Sequence, residues 1–202
     1  MRFVLVLLLL VTSGPAVAAD PLDIGWFADP DGTQRALWID PAIPVTIHAV
    51  LFDAPDPIVG FEVGVRDLPA SVFVIERQFF GSDPLIGGGD FDFVVGTGGC
   101  VQPAPRTALV SLTLFTVTTV PQCTEVFLSG TSVSSSPGGL PVVLGCGDEV
   151  RELNLFDDGF GLSPGAVLLN PIVPNPLDER DDRGCFPVSG KVIGFGALKA
   201  RF

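Results

Sequence analysis

Short apolar segments alternate with proline, glycine and aspartate along most of the chain, and no segment shows the spacing of an amphipathic helix. The sequence contains 24 glycines and 19 prolines, which interrupt regular structure and favour turns. Apolar runs of about four to eight residues between such turn signals indicate β-strands. The predicted strands are 22–28, 34–39, 45–52, 58–65, 72–80, 91–95, 107–117, 125–128, 142–144, 150–155, 166–169 and 191–198.

Many short strands at regular spacing predict an all-β fold, in which two antiparallel sheets pack face to face as a sandwich or jelly roll. We expect one domain at residues 20–170, since a chain of this length supports a single core. Residues 171–202 are predicted to form a tail. It opens with a proline-rich stretch at 171–176 and continues through an acidic stretch at 178–182.

The first nineteen residues have the pattern of a secretory signal peptide. Arg2 precedes an apolar run at 3–11, and small residues at 16–19 provide a cleavage site. No cysteine stands at this site for a lipid anchor, and no later segment has the roughly 20 apolar residues that a membrane helix needs. We therefore predict an exported, soluble protein in the periplasm, at the cell surface or outside the cell.

The charge balance is strongly acidic, with 23 Asp and Glu against 11 Lys and Arg and a net charge of −12. Only two lysines occur, Lys191 and Lys199, both near the C-terminus. Proteins that bind a phosphate backbone carry clustered Lys and Arg, so nucleic acid is excluded as a partner. Acidity of this kind favours solubility and is compatible with Ca²⁺.

Four cysteines with wide spacing in an exported chain predict two disulfides rather than a zinc site. A strand at 107–117 separates Cys100 from Cys123 and disfavours their pairing, because it carries them to opposite ends of the fold. Cys123 and Cys146 flank a predicted hairpin, which favours a Cys123–Cys146 bond. A Cys100–Cys185 bond would then staple the tail to the domain.

The stretches GWFAD at 25–29 and IVGFEVGV at 58–65 resemble segments of uncharacterised secreted bacterial proteins. The sandwiches of those proteins are similar to cohesin and carbohydrate-binding-module folds. Cohesins bind dockerin modules through one sheet face, so the resemblance implies recognition of an extracellular protein by a binding or adhesion module. This chain contains no dockerin repeat, and the resemblance supports a fold more than a function.

Trp26 and Trp38 are the alternative basis for a function. If a hairpin turns near Asp31, both rings fall on one face and offer a platform for a polysaccharide. The flanking Ile, Leu and Phe residues favour the other interpretation, in which the two rings belong to the core of that hairpin.

The segment DPDGT at 29–33 resembles the start of a calcium loop, with Asp29 and Asp31 as oxygen ligands. It lacks the later ligands, and Asp-Gly is also an ordinary hairpin turn. Calcium is thus the one cofactor that the sequence suggests.

A small extracellular glycoside hydrolase is a further alternative, because such enzymes use two carboxylates about 5 Å apart. Glu62 and Glu76, on strands predicted to be neighbours, are the candidates. His48 is the only histidine, and no G-x-S-x-G elbow accompanies it, so we expect a histidine on a strand surface rather than a catalytic one. The sequence therefore predicts a non-catalytic protein.

Overall fold

The computed structural model describes residues 22–81, 85–159, 161–172 and 185, and all regular structure within these ranges is β-strand. The predicted signal peptide at 1–19 and the predicted final strand at 191–198 lie outside the described residues. The strands are β1 Asp23–Phe27, β2 Ala36–Leu37, β3 Val45–Phe52, β4 Ile58–Arg66, β5 Val72–Phe79, β6 Leu85–Gly87, β7 Asp92–Val101, β8 Arg106–Thr116, β9 Thr124–Ser129, β10 Val142–Gly145, β11 Val150–Glu152, β12 Asn154–Leu155 and β13 Val167–Leu169.

The strands form two sheets that pack face to face, which confirms the predicted all-β sandwich. One sheet has the order β12-β1-β3-β8-β5. The other has the order β11-β10-β4-β9-β13-β2, with β7 paired to β4 and β6 paired to β7. Most pairs are antiparallel, while β1 with β12 and β2 with β13 run parallel. β5 ends the first sheet, so only one of its edges is paired within the described residues.

The core forms because inward-pointing apolar side chains alternate with outward-pointing ones along the strands. On β3, Ile47, Ala49 and Leu51 point inward and are fully buried, while Thr46 and His48 point outward. Trp26 of β1 is 0% exposed and lies between the sheets, where its Nε1–H donates to the carbonyl of Phe127 on β9. This bond joins the two sheets and satisfies the indole donor in a buried position.

The predicted hairpin near Asp31 does not form, because β1 and β2 belong to different sheets. Residues 28–35 carry the chain from one sheet to the other, and the Ala28 N–H donates to the carbonyl of Gln34 across this connection. At its end, the buried Arg35 donates to the carbonyls of Ser163 and Ala166. Trp26 and Trp38 therefore do not share one exposed face.

A second predicted hairpin, between β9 and β10, is replaced by an interrupted strand. β9 pairs with Gly64–Arg66 of β4, and β10 pairs with Ile58–Glu62 along the same edge. Residues 130–141 leave this edge and return to it, and the Gly130 N–H donates to the carbonyl of Gly139 at 2.9 Å where they do so. A Cβ at Gly130 would lie 2.5 Å from the carbonyl oxygen of Leu140, so this crossing requires glycine.

The disulfides are Cys100–Cys146 and Cys123–Cys185, so the predicted pairing is wrong. Because β9 and β10 follow one another along β4, Cys123 and Cys146 lie at opposite ends of that edge. Cys100 and Cys146 meet near Ile58, since Val101 of β7 and Gly145 of β10 both pair with it. The tail is stapled as expected, but through Cys123.

Non-reducing peptide mapping should recover a Cys100–Cys146 peptide and a Cys123–Cys185 peptide. These bonds close loops of 46 and 62 residues, so removing either pair by substitution to Ala should lower the free energy of unfolding by about 2–5 kcal/mol. Recovery of a Cys123–Cys146 peptide would contradict the arrangement of β9 and β10 along one edge.

Candidate functional site

The outer face of the five-stranded sheet is covered at one end by an aromatic cluster. Phe27, Phe52 and Phe156 lie with ring centroids 5.2–5.5 Å apart and are buried together with Val50. The Arg106 guanidinium lies 5.9 Å from the centre of the Phe52 ring and donates to the carbonyl of Asp31. This end is closed by the chain itself and offers no site.

The middle of the same face is polar. His48 Nδ1 and Ser111 Oγ are 2.8 Å apart, and neighbouring threonine hydroxyls pair across β3 and β8. Burial lowers the pKa of His48, although the Asp29 carboxylate acts in the opposite direction. Ser111 lies inside a paired strand, and both Asp29 carboxylate oxygens accept hydrogen bonds from Thr33, so these residues do not form a catalytic triad.

The far end of the face is apolar and open. Phe73 and Ile75 on the edge strand β5 are 50% and 55% exposed, and Phe73 pairs with the half-buried Phe115 of β8. Val117 and Ile43 add exposed side chains at the rim. Exposed apolar side chains along an unpaired strand edge favour contact with another polypeptide.

A groove of about 590 Å³ separates β5 from the edge of the other sheet at β6 and β7. The lining residues are Arg77, Phe79, Gly87, Gly88, Gly89, Asp90 and Phe93. Phe79 and Phe93 meet edge to face at 5.5 Å, and the Arg77 guanidinium lies 6.0 Å from the centre of the Phe93 ring. The groove thus has an aromatic floor, in which Phe79 is half-buried and Phe93 is fully buried, beside a strand edge that has no partner strand in the described part of the chain.

One wall of the groove has no side chains. Gly88 adopts a φ of +96°, which favours glycine, whereas a Cβ at Gly89 would meet no atom within 4 Å. The nearest atom to a Cβ at Gly87 is 3.7 Å away. Sterics do not require glycine at Gly87 or Gly89, and their absence of side chains keeps the groove open.

A loose ion pair lies at the rim of the groove. Arg77 Nη2 is 3.8 Å from a carboxylate oxygen of Asp90 and 3.1 Å from its carbonyl oxygen, and the Asp90 side chain is 87% exposed. Such an exposed pair contributes little to stability. Both charges are therefore available to a bound molecule.

The outer face of the second sheet is covered by the loop at residues 130–140, which three carboxylates hold. Glu62 accepts from the N–H and Oγ–H of Ser135, and Asp92 accepts from the N–H and Oγ–H of Ser132. Glu152 accepts from a third serine hydroxyl in the loop. The side chain at the loop tip, Val133, is 88% exposed.

Of these three carboxylates, Asp92 is the one that also forms a salt bridge in the described part of the chain, with Arg66. Burial acts to raise its pKa, but the bonds from Ser132 and from the Arg66 guanidinium at 2.6 Å outweigh burial and lower the pKa. Its negative charge is therefore stabilised by folding.

Glu62 and Glu76 lie on the outer faces of different sheets, so the prediction that they occupy neighbouring strands is wrong. β4 pairs with β7, β9 and β10, whereas β5 pairs with β8. The two carboxylates stand on opposite sides of the sandwich and cannot flank one glycosidic bond.

The other predicted site residues are placed in the core or in turns. Trp26 is buried, which excludes it from a sugar platform, and Trp38 is half-buried. Asp29 accepts from Thr33 in a tight turn in which Gly32 has a φ of +66°. Among the described residues, no group of three His, Cys, Asp or Glu side chains could hold a metal. Calcium at Asp29 and Asp31 stays a prediction.

No family model matches the sequence, and no curated protein matches it. Among solved structures, the chain is similar to the cohesin module of a family 33 glycoside hydrolase from Clostridium perfringens, with 11% identity, a TM-score of 0.45, and coverage of 74% of this chain and 98% of that one. It is also similar to the sixth cohesin of Acetivibrio cellulolyticus scaffoldin B, in complex with a Cel5 dockerin, with 9% identity, a TM-score of 0.43, and coverage of 75% and 99%.

In the described part of the chain, no helix is long and apolar enough to cross a membrane. The groove between β5 and β6–β7 remains the candidate functional site. Sequence reasoning missed it, although the exposed run Gly87-Gly88-Gly89 is a signal of bare backbone.

We predict that His48 makes stability depend on pH. Its folded pKa lies below the unfolded value of 6.5, so its contribution is complete above that pH and is lost as pH falls towards the folded pKa. His48→Gln should lose less stability than the wild type between about pH 7.5 and pH 5, measured by urea unfolding. Equal losses in both proteins would contradict this assignment.

Removing the charge of Asp92 should loosen the loop at 130–140. Asp92→Asn should lower the free energy of unfolding by about 1 kcal/mol at pH 7, because the N–H and Oγ–H of Ser132 and the Arg66 guanidinium lose an ionised acceptor. The effect should fade as pH falls through the lowered pKa of Asp92. Asp90→Asn is the matched control and should change stability by less than about 0.5 kcal/mol; equal effects of both changes would refute the role of Asp92.

Proposed function

We propose that the chain is an exported, non-catalytic binding module that takes an extended segment of an extracellular protein into the groove between β5 and β6–β7. The observation that carries the proposal is the combination of a free strand edge, an aromatic floor and a wall without side chains around one groove.

The free edge of β5 supplies backbone hydrogen bonds for a segment in extended conformation. Within the described residues β5 pairs with β8 alone, so its outward N–H and C=O groups have no strand partner. A bound segment that adds a strand there gains main-chain bonds, and pockets for alternate side chains provide specificity.

The residues that line the groove determine which ligands fit beside the edge of β5. The volume of about 590 Å³ lies in the usual range for binding clefts, and the half-buried Phe79, which packs on the buried Phe93, offers apolar contact to one side chain of the bound segment. The backbone at Gly89 allows close approach of another main chain. These features suit a polypeptide better than a sugar ring, for which Trp26 is buried.

The groove contains little that could perform catalysis. Among the described residues that line the groove, Asp90 is the one carboxylate and Arg77 is the one cation. Acid–base hydrolysis of a glycoside requires a second carboxylate nearby. The groove, rather than the similarity to cohesins, supports protein recognition.

A selection experiment can test this proposal. Random peptides of about ten residues, displayed on phage, would be selected on the wild-type protein, and the selected peptides measured against two variants. Gly89→Leu adds an apolar side chain to the bare wall at a position where a Cβ meets no atom within 4 Å, and we expect at least about a tenfold loss of affinity.

Gly138→Leu is the matched control, because Gly138 is also exposed, has only ordinary contacts at 3.7–3.8 Å and lies on the other sheet's loop. It should bind the selected peptides as the wild type does. Peptides that bind Gly89→Leu unchanged would show that the groove is not the binding site.

A further inference from the structure

We infer that the C-terminal segment at residues 186–202 of the same chain is itself a ligand of the groove, held along the free edge of β5. This inference rests on the proposed function of that groove and deepens it, because the segment would compete with an external partner. The segment lies outside the described residues, so the inference draws on its sequence, its tether and the surface that would receive it.

The tether, which is the disulfide between Cys123 and Cys185, places the start of the segment at the end of the sandwich where β5 begins. Cys185 is bonded to Cys123, whose N–H donates to the carbonyl of Asn170. The Asn170 amide in turn donates to the carbonyl of Val120, shortly after β8 ends at Thr116. Thr116 pairs with Val72, the first residue of β5. The tail therefore starts at the end of the molecule where β5 begins.

The segment has enough residues to follow the whole of β5. An extended chain spans about 3.3 Å per residue, so the residues from Cys185 to Lys191 span up to about 20 Å. The eight residues of β5 cover about 26 Å. Residues 191–198 are thus as many as β5 has, and residues 186–190 remain to bridge the gap from Cys185.

The charges are complementary. Residues 186–202 contain Lys191, Lys199 and Arg201 and no acidic residue, in a chain of net charge −12. Both lysines of the protein lie in this segment. The exposed charged residues beside this edge of β5 are Glu76, Arg77 and Asp90, so carboxylates outnumber cations there, and Asp90 is held only loosely by Arg77. A cationic segment can bind beside these carboxylates.

The pattern of the segment suits an added strand. In KVIGFGALK at 191–199, Ile193, Phe195 and Ala197 share one face and lie between the two lysines. β5 presents exposed Phe73 and Ile75 in its first half, where Phe73 lies on the outer face of the sheet, and it presents the half-buried Phe79 at the groove on the inner face. Apolar side chains on one face of an added strand would cover the apolar residues on that same face of β5, and the glycines allow close approach to the backbone.

Occupancy of the groove by the tail would weaken binding of any partner. The apparent dissociation constant rises in inverse proportion to the fraction of protein with an empty groove, so occupancy of about 90% weakens binding about tenfold. A partner would then have to displace the tail.

Hydrogen exchange on the full chain with both disulfides intact tests the inference. The variant with Lys191→Glu and Lys199→Glu removes the charge attraction, and its β5 amides should exchange faster than those of the wild type. The matched control with Arg180→Glu and Arg183→Glu changes the same charge before the tether and should leave β5 exchange unchanged. Gly89→Leu should likewise accelerate exchange at residues 191–199, whereas Gly138→Leu should not.

Equal exchange of β5 in the wild type and the lysine variant would overturn the inference. Protection of β5 accompanied by a dimer in sedimentation analysis would also overturn it, since the occupant would then be a second copy. The peptide selection is repeated on the lysine variant to separate the two proposals. If no selected peptide depends on the groove in either protein, the proposed function fails, while the exchange data still decide whether the tail binds.

Discussion

Burial of the apolar inner faces of the two sheets is the interaction on which the rest of the structure depends. Every long strand supplies alternate apolar side chains to this layer, and the Trp26 indole adds a hydrogen bond from one sheet to the other. Packing of this kind buries the inner faces of the sheets but leaves the backbone groups at the sheet edges without strand partners. The features outside the core determine which sheet edges and outer faces are covered and which stay exposed.

The outer faces and edges of the two sheets are covered to different extents. A phenylalanine cluster covers one end of the outer face of the five-stranded sheet, and a serine-rich loop held by carboxylates covers the outer face of the other sheet. The edge at β5 keeps exposed Phe73 and Ile75 and opens into a groove. That contrast supports the proposed site, because apolar area left uncovered costs free energy unless another molecule covers it.

Most of the strands could be predicted from the sequence, because alternation and turn residues act locally, but β6 and the second half of β7 were missed. The bounds of β3 match the prediction, and β4, β5 and β8 match within a residue or two. Pairing could not be predicted in the same way. The interrupted edge formed by β9 and β10 and the separation of β1 from β2 depend on contacts between distant parts of the chain, and the disulfide assignment was wrong for this reason. The candidate site was missed because a groove between two sheet edges has no local pattern beyond its glycines.

The interruption between β9 and β10 has a consequence for how this fold can vary. The loop at residues 130–141 starts and ends at one point on β4, where Gly130 and Gly139 are hydrogen-bonded, so its length is independent of the register on either side. Related chains could lengthen, shorten or replace the tip around Val133 without shifting a single strand pair. The same point is therefore the natural place to graft a foreign epitope onto this scaffold.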